Sequence, residues 1–156
     1  MTYRVLLIVA FMLQTAVGNA ADGVTIARNS KAACVIVQAD NATEPEKFSA
    51  KELATFLKRV TGAEFSVVAE PSLTDDRASR IYVGWTGYAA RLGINPSKLG
   101  EEEWVIRTIG NDLVLTGGRP RGTMYAVYEF LEDHVGCHWL DRKTEVIPSK
   151  PTLEVG

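Results

Sequence analysis

The stretch Gly117-Gly118-Arg119-Pro120-Arg121-Gly122-Thr123-Met124-Tyr125-Ala126-Val127-Tyr128-Glu129-Phe130-Leu131-Glu132-Asp133-His134-Val135-Gly136 carries the chain through a glycine-rich turn into a helix. Met124, Val127, Tyr128, Leu131 and Val135 recur at helical spacing, so one apolar stripe faces a partner layer, and Gly136 supplies the stop. Just upstream, Glu103 to Ile109 and Leu113 to Thr116 are β-rich runs around Gly110-Asn111-Asp112, residues that tolerate positive φ. That arrangement predicts a hairpin feeding the helix. Downstream, Cys137 to Leu140 and Glu145 to Ile147 read as returning strands, and Pro148, Lys150 and Pro151 break the pattern into something like a linker over 148–156.

The first half is read in the same way. Val24 to Ala27 and Ala33 to Val37 are short β-branched runs separated by the polar Arg28-Asn29-Ser30-Lys31. Thr43 then opens a helix, with Glu46 three residues on as the partner of a capping box and Pro45 tolerated in the first turn. Leu53, Phe56, Leu57 and Val60 form its apolar stripe, and Gly62 ends it. Phe65 to Ala69 and Arg80 to Gly84 read as strands joined by the polar loop 70–79, and Trp85 to Gly100 reads as irregular and exposed. Strands, helix, strands, hairpin, helix and strands together predict an α+β two-layer sandwich: a mixed sheet with two main helices on one face.

The N-terminus reads as a signal peptide over residues 1–20. Arg4 precedes an apolar run from Val5 to Val17, and small residues Gly18 and Ala20 suit cleavage after Ala20. The run is shorter than the roughly 20 residues of a membrane span, so export with no membrane anchor after cleavage is the expectation. The remaining chain, 21–147, suits one domain and is too short for the roughly 250 residues of a (β/α)₈ barrel. Formal net charge is −2, and no basic stretch invites nucleic acid. In an oxidising compartment Cys34 and Cys137 could form one disulfide; the alternative is two buried thiols, since both lie in apolar surroundings.

Chemistry is sparse. His134 and His138 are four apart, the spacing that begins many zinc sites. However, Val135 stands where such sites carry a glutamate, Gly136 breaks the helix between the histidines, and no third ligand follows, so no metal and no cofactor is expected. Glycosidases hold two carboxylates about 5 to 9.5 Å apart across a cleft. The candidates, Glu101-Glu102-Glu103 and Glu129, Glu132 and Asp133, sit where solvated surfaces are expected. No catalytic residue is assigned. Trp85, Trp104 and Trp139 could stack on sugar rings or pack as core and interface. Asn41-Ala42-Thr43 matches a glycosylation acceptor, although Thr43 already has a capping role.

Three segments together resemble a known family: Phe48 to Leu57 with Thr61-Gly62-Ala63; Ile81-Tyr82-Val83-Gly84; and Thr116 to Glu132 closing with Gly136-Cys137-His138-Trp139-Leu140. They resemble the N-terminal domain of α-glucuronidases of glycoside hydrolase family 67 and its counterpart in β-N-acetylhexosaminidases of family 20. The resemblance implies a zincin-like topology without the metal site, placed ahead of a catalytic (β/α)₈ barrel, in cis or as a separate chain. It also implies a non-catalytic accessory role in carbohydrate metabolism. A free-standing exported glycan-binding module is the alternative. Arg121, Trp139 and Trp85 are the residues expected at a binding surface or domain interface. Arg121, in the first turn of the second helix, calls for an acidic partner or for bonds to the Gly117-Gly118 turn, and Trp139 is expected near the same end of the sheet.

Overall fold

The structure is a computed structural model that describes residues 23–74 and 78–156. The segment read as a signal peptide lies outside the described residues. Five strands form the main sheet: β3 (Cys34–Gln38), β4 (Val67–Ala69), β5 (Ser79–Val83), β6 (Trp104–Ile109) and β7 (Asp112–Gly117), in the order β4-β3-β5-β7-β6. β3 runs parallel to β4 and β5, β5 parallel to β7, and β6 antiparallel to β7, so the sheet is mixed. The β6–β7 register pairs Ile109 with Asp112, leaving Gly110-Asn111 as the turn. A small sheet beside it joins β1 (Val24–Arg28), β2 (Lys31–Ala32) and β10 (Leu153–Val155). Asn29 and Ser30, at φ 50° and 59°, make its hairpin turn with both central residues left-handed, which matches the strand twist.

Helix α1 (Glu44–Thr61) starts where the Glu46 carboxylate accepts the Thr43 backbone N–H at 2.7 Å. It stops at Gly62, φ +77°, whose N–H reaches the Lys58 carbonyl at 2.8 Å. α3 (Gly122–Glu129) continues without a break as a π-helical stretch, Phe130–Val135, ended by left-handed Gly136. The wider coil differs from the uniform α-helix expected, and Phe130, Leu131 and Val135 are all buried in it. Alternation along the strands turns Ile36, Ile81, Val83, Leu113 and Leu115 toward α1 and α3, where they meet Leu53, Phe56, Leu57, Val60, Ala126 and Val127. Each of the larger ones, fully buried, contributes about 1.5–3 kcal/mol. Both helices therefore cover one sheet face, as the periodicities predict.

The other face is not bare, which corrects the reading of Trp85 to Gly100. That segment contains the short helix α2 (Gly87–Arg91) and a 3₁₀ turn at Pro96–Lys98, and it buries Ala89 and Ile94 against Val37, Tyr82 and Val114. The expected linker differs too. The Lys150 N–H donates to the Val60 carbonyl at 2.8 Å, Pro151 O accepts from Ser30 N at 2.8 Å, and Leu153 and Val155 are buried as β10 pairs with β1. Thus 148–156 is stitched into the domain. β8 (His138–Trp139) and β9 (Glu145–Val146) form a separate two-stranded ribbon.

Cys34 and Cys137 are free thiols, both buried in the helix-side core. Burial pushes the Cys34 thiol up to about 12, which leaves it unionised and unreactive at neutral pH. Each helix follows a parallel strand and runs back along the sheet. The N-termini of α1, α2 and α3 consequently gather at the carboxyl ends of β3, β5 and β7.

Candidate functional site

At that end of the sheet the chain builds a buried ion pair. Glu46, 1% exposed, accepts the Arg119 Nε–H at 3.2 Å and Nη2–H at 3.0 Å, one on each carboxylate oxygen. It also accepts the Trp85 backbone N–H at 3.3 Å, in addition to the Thr43 N–H that caps α1. A carboxylate withdrawn from water is tolerable only when its lone pairs are filled in this way. Gly84, φ +83°, makes room, because a Cβ there would stand 3.0 Å from the Glu46 Cγ. Arg119 in turn lies 4.1 Å from the Trp85 ring centroid, and the Trp85 indole N–H donates to the Gly117 carbonyl at 2.7 Å. Capping residue, indole and glycine turn are thereby locked to one another.

The turn itself is a backbone crossing. Gly118 donates to the Glu103 carbonyl at 2.9 Å, and Gly122 to the Gly118 carbonyl at 2.7 Å. A Cβ on Gly118 would stand 1.9 Å from the Gly100 carbonyl oxygen, and one on Gly122 would stand 2.3 Å from the Glu103 oxygen. No side chain fits between these strands of backbone.

Beside the crossing, a crevice of about 760 Å³ opens at the carboxyl ends of β3 and β5, lined in part by Asp40, Asn41, Tyr82, Trp85, Tyr88 and Arg91. From β3 the chain leads to α1 on one face of the sheet, and from β5 to α2 on the other. A crevice where successive connections diverge like this is where open α/β sheets bind ligands. Tyr82 and Tyr88 stack at 4.0 Å, and Glu70 receives the Gly87 and Tyr88 N–H groups at 2.6 and 2.8 Å, closing the start of α2. Burial, with the Asp112 carboxylate against its hydroxyl, pushes Tyr88 up to about 12.

Of the residues singled out in the sequence, Trp85 and Arg121 flank the Gly117-Gly118 turn. Arg121 finds the acidic partner its position calls for: its guanidinium meets Glu102 at 2.8 Å, with both side chains half exposed. Trp139 does not join them, a correction to its expected place. The helical run 122–135 carries the chain about 20 Å away, to the opposite end of the sheet. There Trp139 packs edge-on against Phe56 and Tyr128, each at 5.2 Å between centroids. Trp104 leans on Tyr125 at the sheet edge. His134 stacks on Phe130, whereas His138 faces Glu132 at 3.5 Å. Glu129, Glu132 and Asp133 lie on the outer side of the second helix, and Glu101 and Glu102 lie on an exposed loop. Among the described residues no three His, Cys, Asp or Glu side chains gather as a metal site.

Sequence reasoning missed Arg119, Tyr88 and the second role of Glu46. A glutamate that caps its own helix gives no sign of a partner 73 residues away. An arginine between Gly118 and Pro120, in a turn that cannot extend as a strand, was the signal available.

No curated protein matches the chain at a significant level. The sequence profile described as the glycosyl hydrolase family 67 N-terminus does match it, over residues 21–130, a span that holds α1, the main sheet, the ion pair and the glycine crossing. The chain belongs to the glycosyl hydrolase family 67 N-terminus family.

Proposed function

We propose that this is an exported accessory domain of an α-glucuronidase-like hydrolase, which packs on a catalytic (β/α)₈ barrel and performs no glycoside hydrolysis itself. The observation that carries this reading is the family match over residues 21–130. The commitments of the innermost carboxylates agree with it. Glu46 is bound to Arg119 and to backbone N–H groups, and Glu70 to the start of α2. Carboxylates committed in this way are not free to exchange a proton with a substrate or attack it, as glycosidase chemistry requires.

The test is to mix the purified protein with a family-67 barrel lacking its own N-terminal domain. Gel filtration should show a one-to-one complex. An aryl α-glucuronide should be hydrolysed only when the barrel is present. Turnover by this chain alone that is abolished by one Glu→Gln change would overturn the reading, as would failure to bind any family-67 barrel.

A further inference from the structure

The crevice at the carboxyl ends of β3 and β5 has a composition that the accessory role leaves unused. Its volume of about 760 Å³ falls within the roughly 300–1,000 Å³ of small-molecule sites. Trp85 forms part of its wall and is held rigid by the Arg119 stack and by its bond to Gly117, so a ligand meeting it orders no side chain. Asp40 and Asn41 are exposed at the mouth, and among the described residues neither side chain has a hydrogen-bond or ionic partner. Arg91, 70% exposed, is only loosely drawn to Glu70, at 3.7 Å.

The chemistry of this set discriminates among ligands. An acceptor-only carboxylate, an amide that both donates and accepts, and a donor-only guanidinium suit hydroxyl groups, which are donors and acceptors at once. The aromatic walls suit the C–H faces of a pyranose. Phosphate is disfavoured, because the backbone N–H groups that would cradle it at the start of α2 are taken by Glu70. The charged lining residues are two carboxylates, Asp40 and Glu70, and two guanidinium groups, Arg80 and Arg91, so nothing selects an anion. We infer that this crevice binds a neutral saccharide, with Trp85 as the wall and Asp40, Asn41 and Arg91 as hydroxyl partners. The inference goes beyond the accessory role and stands whether or not the chain docks on a barrel.

The experiment is an amide chemical-shift titration of the purified protein with xylotriose, cellotriose and maltotriose. At least one of them should shift the amides of Asp40, Asn41, Trp85, Tyr88 and Arg91 saturably at millimolar concentration. Asp40→Ala and Arg91→Ala change exposed side chains and leave the fold intact. Each should weaken that binding roughly tenfold, the loss of one charge-assisted hydrogen bond. Trp104→Ala, away from the crevice, should bind as the parent does. Three silent titrations would overturn the inference, as would shifts centred on Trp104 or Trp139, or unchanged affinity in both crevice variants. None of these results bears on barrel binding, which gel filtration reads separately.

Discussion

Arg119 stands 4.1 Å from the centre of the Trp85 indole while its Nε–H and Nη2–H end on the buried Glu46, so one guanidinium joins the start of α1, the end of β5 and the glycine turn before α3. Removing it strands a carboxylate that is 1% exposed. Breaking a buried pair costs about 3–5 kcal/mol, and because Arg119 is itself 32% exposed the low end applies. Arg119→Ala should therefore lower stability by about 3 kcal/mol in urea unfolding. Arg119→Lys should recover only part of this, since a point charge cannot supply two donors in a fixed fork. A parental midpoint for Arg119→Ala would show that the pair holds nothing together.

Gly118→Ala should be far more damaging than its one methyl group suggests. The added Cβ would sit 1.9 Å from the Gly100 carbonyl, backbone against backbone, with nothing flexible to yield. Gly93 is the control: at φ +75° it has open space around its Cβ position. Gly93→Ala pays only for the left-handed conformation, about 1 kcal/mol. Thermal melts of the two variants should separate clearly, with Gly118→Ala failing to fold or melting far below the other. Equal melts would mean that the 117–122 crossing opens without penalty.

The legible parts of the fold are those set by local chemistry. The Leu53, Phe56, Leu57 and Val60 stripe, the Thr43–Glu46 cap and Gly62 fix α1 from within, and Gly110-Asn111 fixes the β6–β7 turn. The illegible parts depend on distant partners. α2 is five residues long, too short to show a period, and its place over Val37, Tyr82 and Val114 follows from the sheet it covers. Leu153–Val155 is a three-residue strand after two prolines, defined only by its pairing with β1. The same limit applies at the site. Arg121 was visible as a charge beside a glycine turn and Trp85 as an aromatic able to stack on a sugar, but Arg119 acquires its meaning from Glu46, and the crevice from loops that meet only when β3 and β5 lie side by side.

Alkaline pH should unfold the protein through its tyrosines. Burial first, then the Glu52 carboxylate hydrogen-bonded to its hydroxyl at 2.8 Å, pushes Tyr128 up to about 12. Tyr88 is raised to about 12, and Tyr82 is raised as well, in both cases chiefly by burial. An unfolded tyrosine ionises near pH 10, so the folded state holds these protons more tightly. Their contribution is complete below about pH 10 and is lost as pH rises through about 12. Tyrosinate absorbance should rise in step with the loss of ellipticity between these values, and Tyr128→Phe should shift the midpoint upward. Reversible titration of all the tyrosines near pH 10 with the fold intact would contradict this.

Trp139 decides whether the far end of the sheet is core or contact surface. Its ring meets Phe56 and Tyr128 edge-on, and Arg59 lies 5.1 Å over the Phe56 ring while pairing with Glu145, the residue opposite Trp139 in the β8–β9 ribbon. Three aromatic rings and a guanidinium thus tie the ribbon to α1 and α3. Replacing a packed tryptophan by alanine costs about 3–5 kcal/mol, and partial exposure of this one places it near 3. For a domain of this size that is a fall in Tm of roughly 10 °C. The neighbouring Leu140, 68% exposed, provides the contrast. Leu140→Ala should leave the Tm within about 1 °C, as surface substitutions do. If Trp139→Ala melts with the parent yet no longer co-elutes with a family-67 barrel, its role is at the interface, and the aromatic cluster is a docking face presented by the fold.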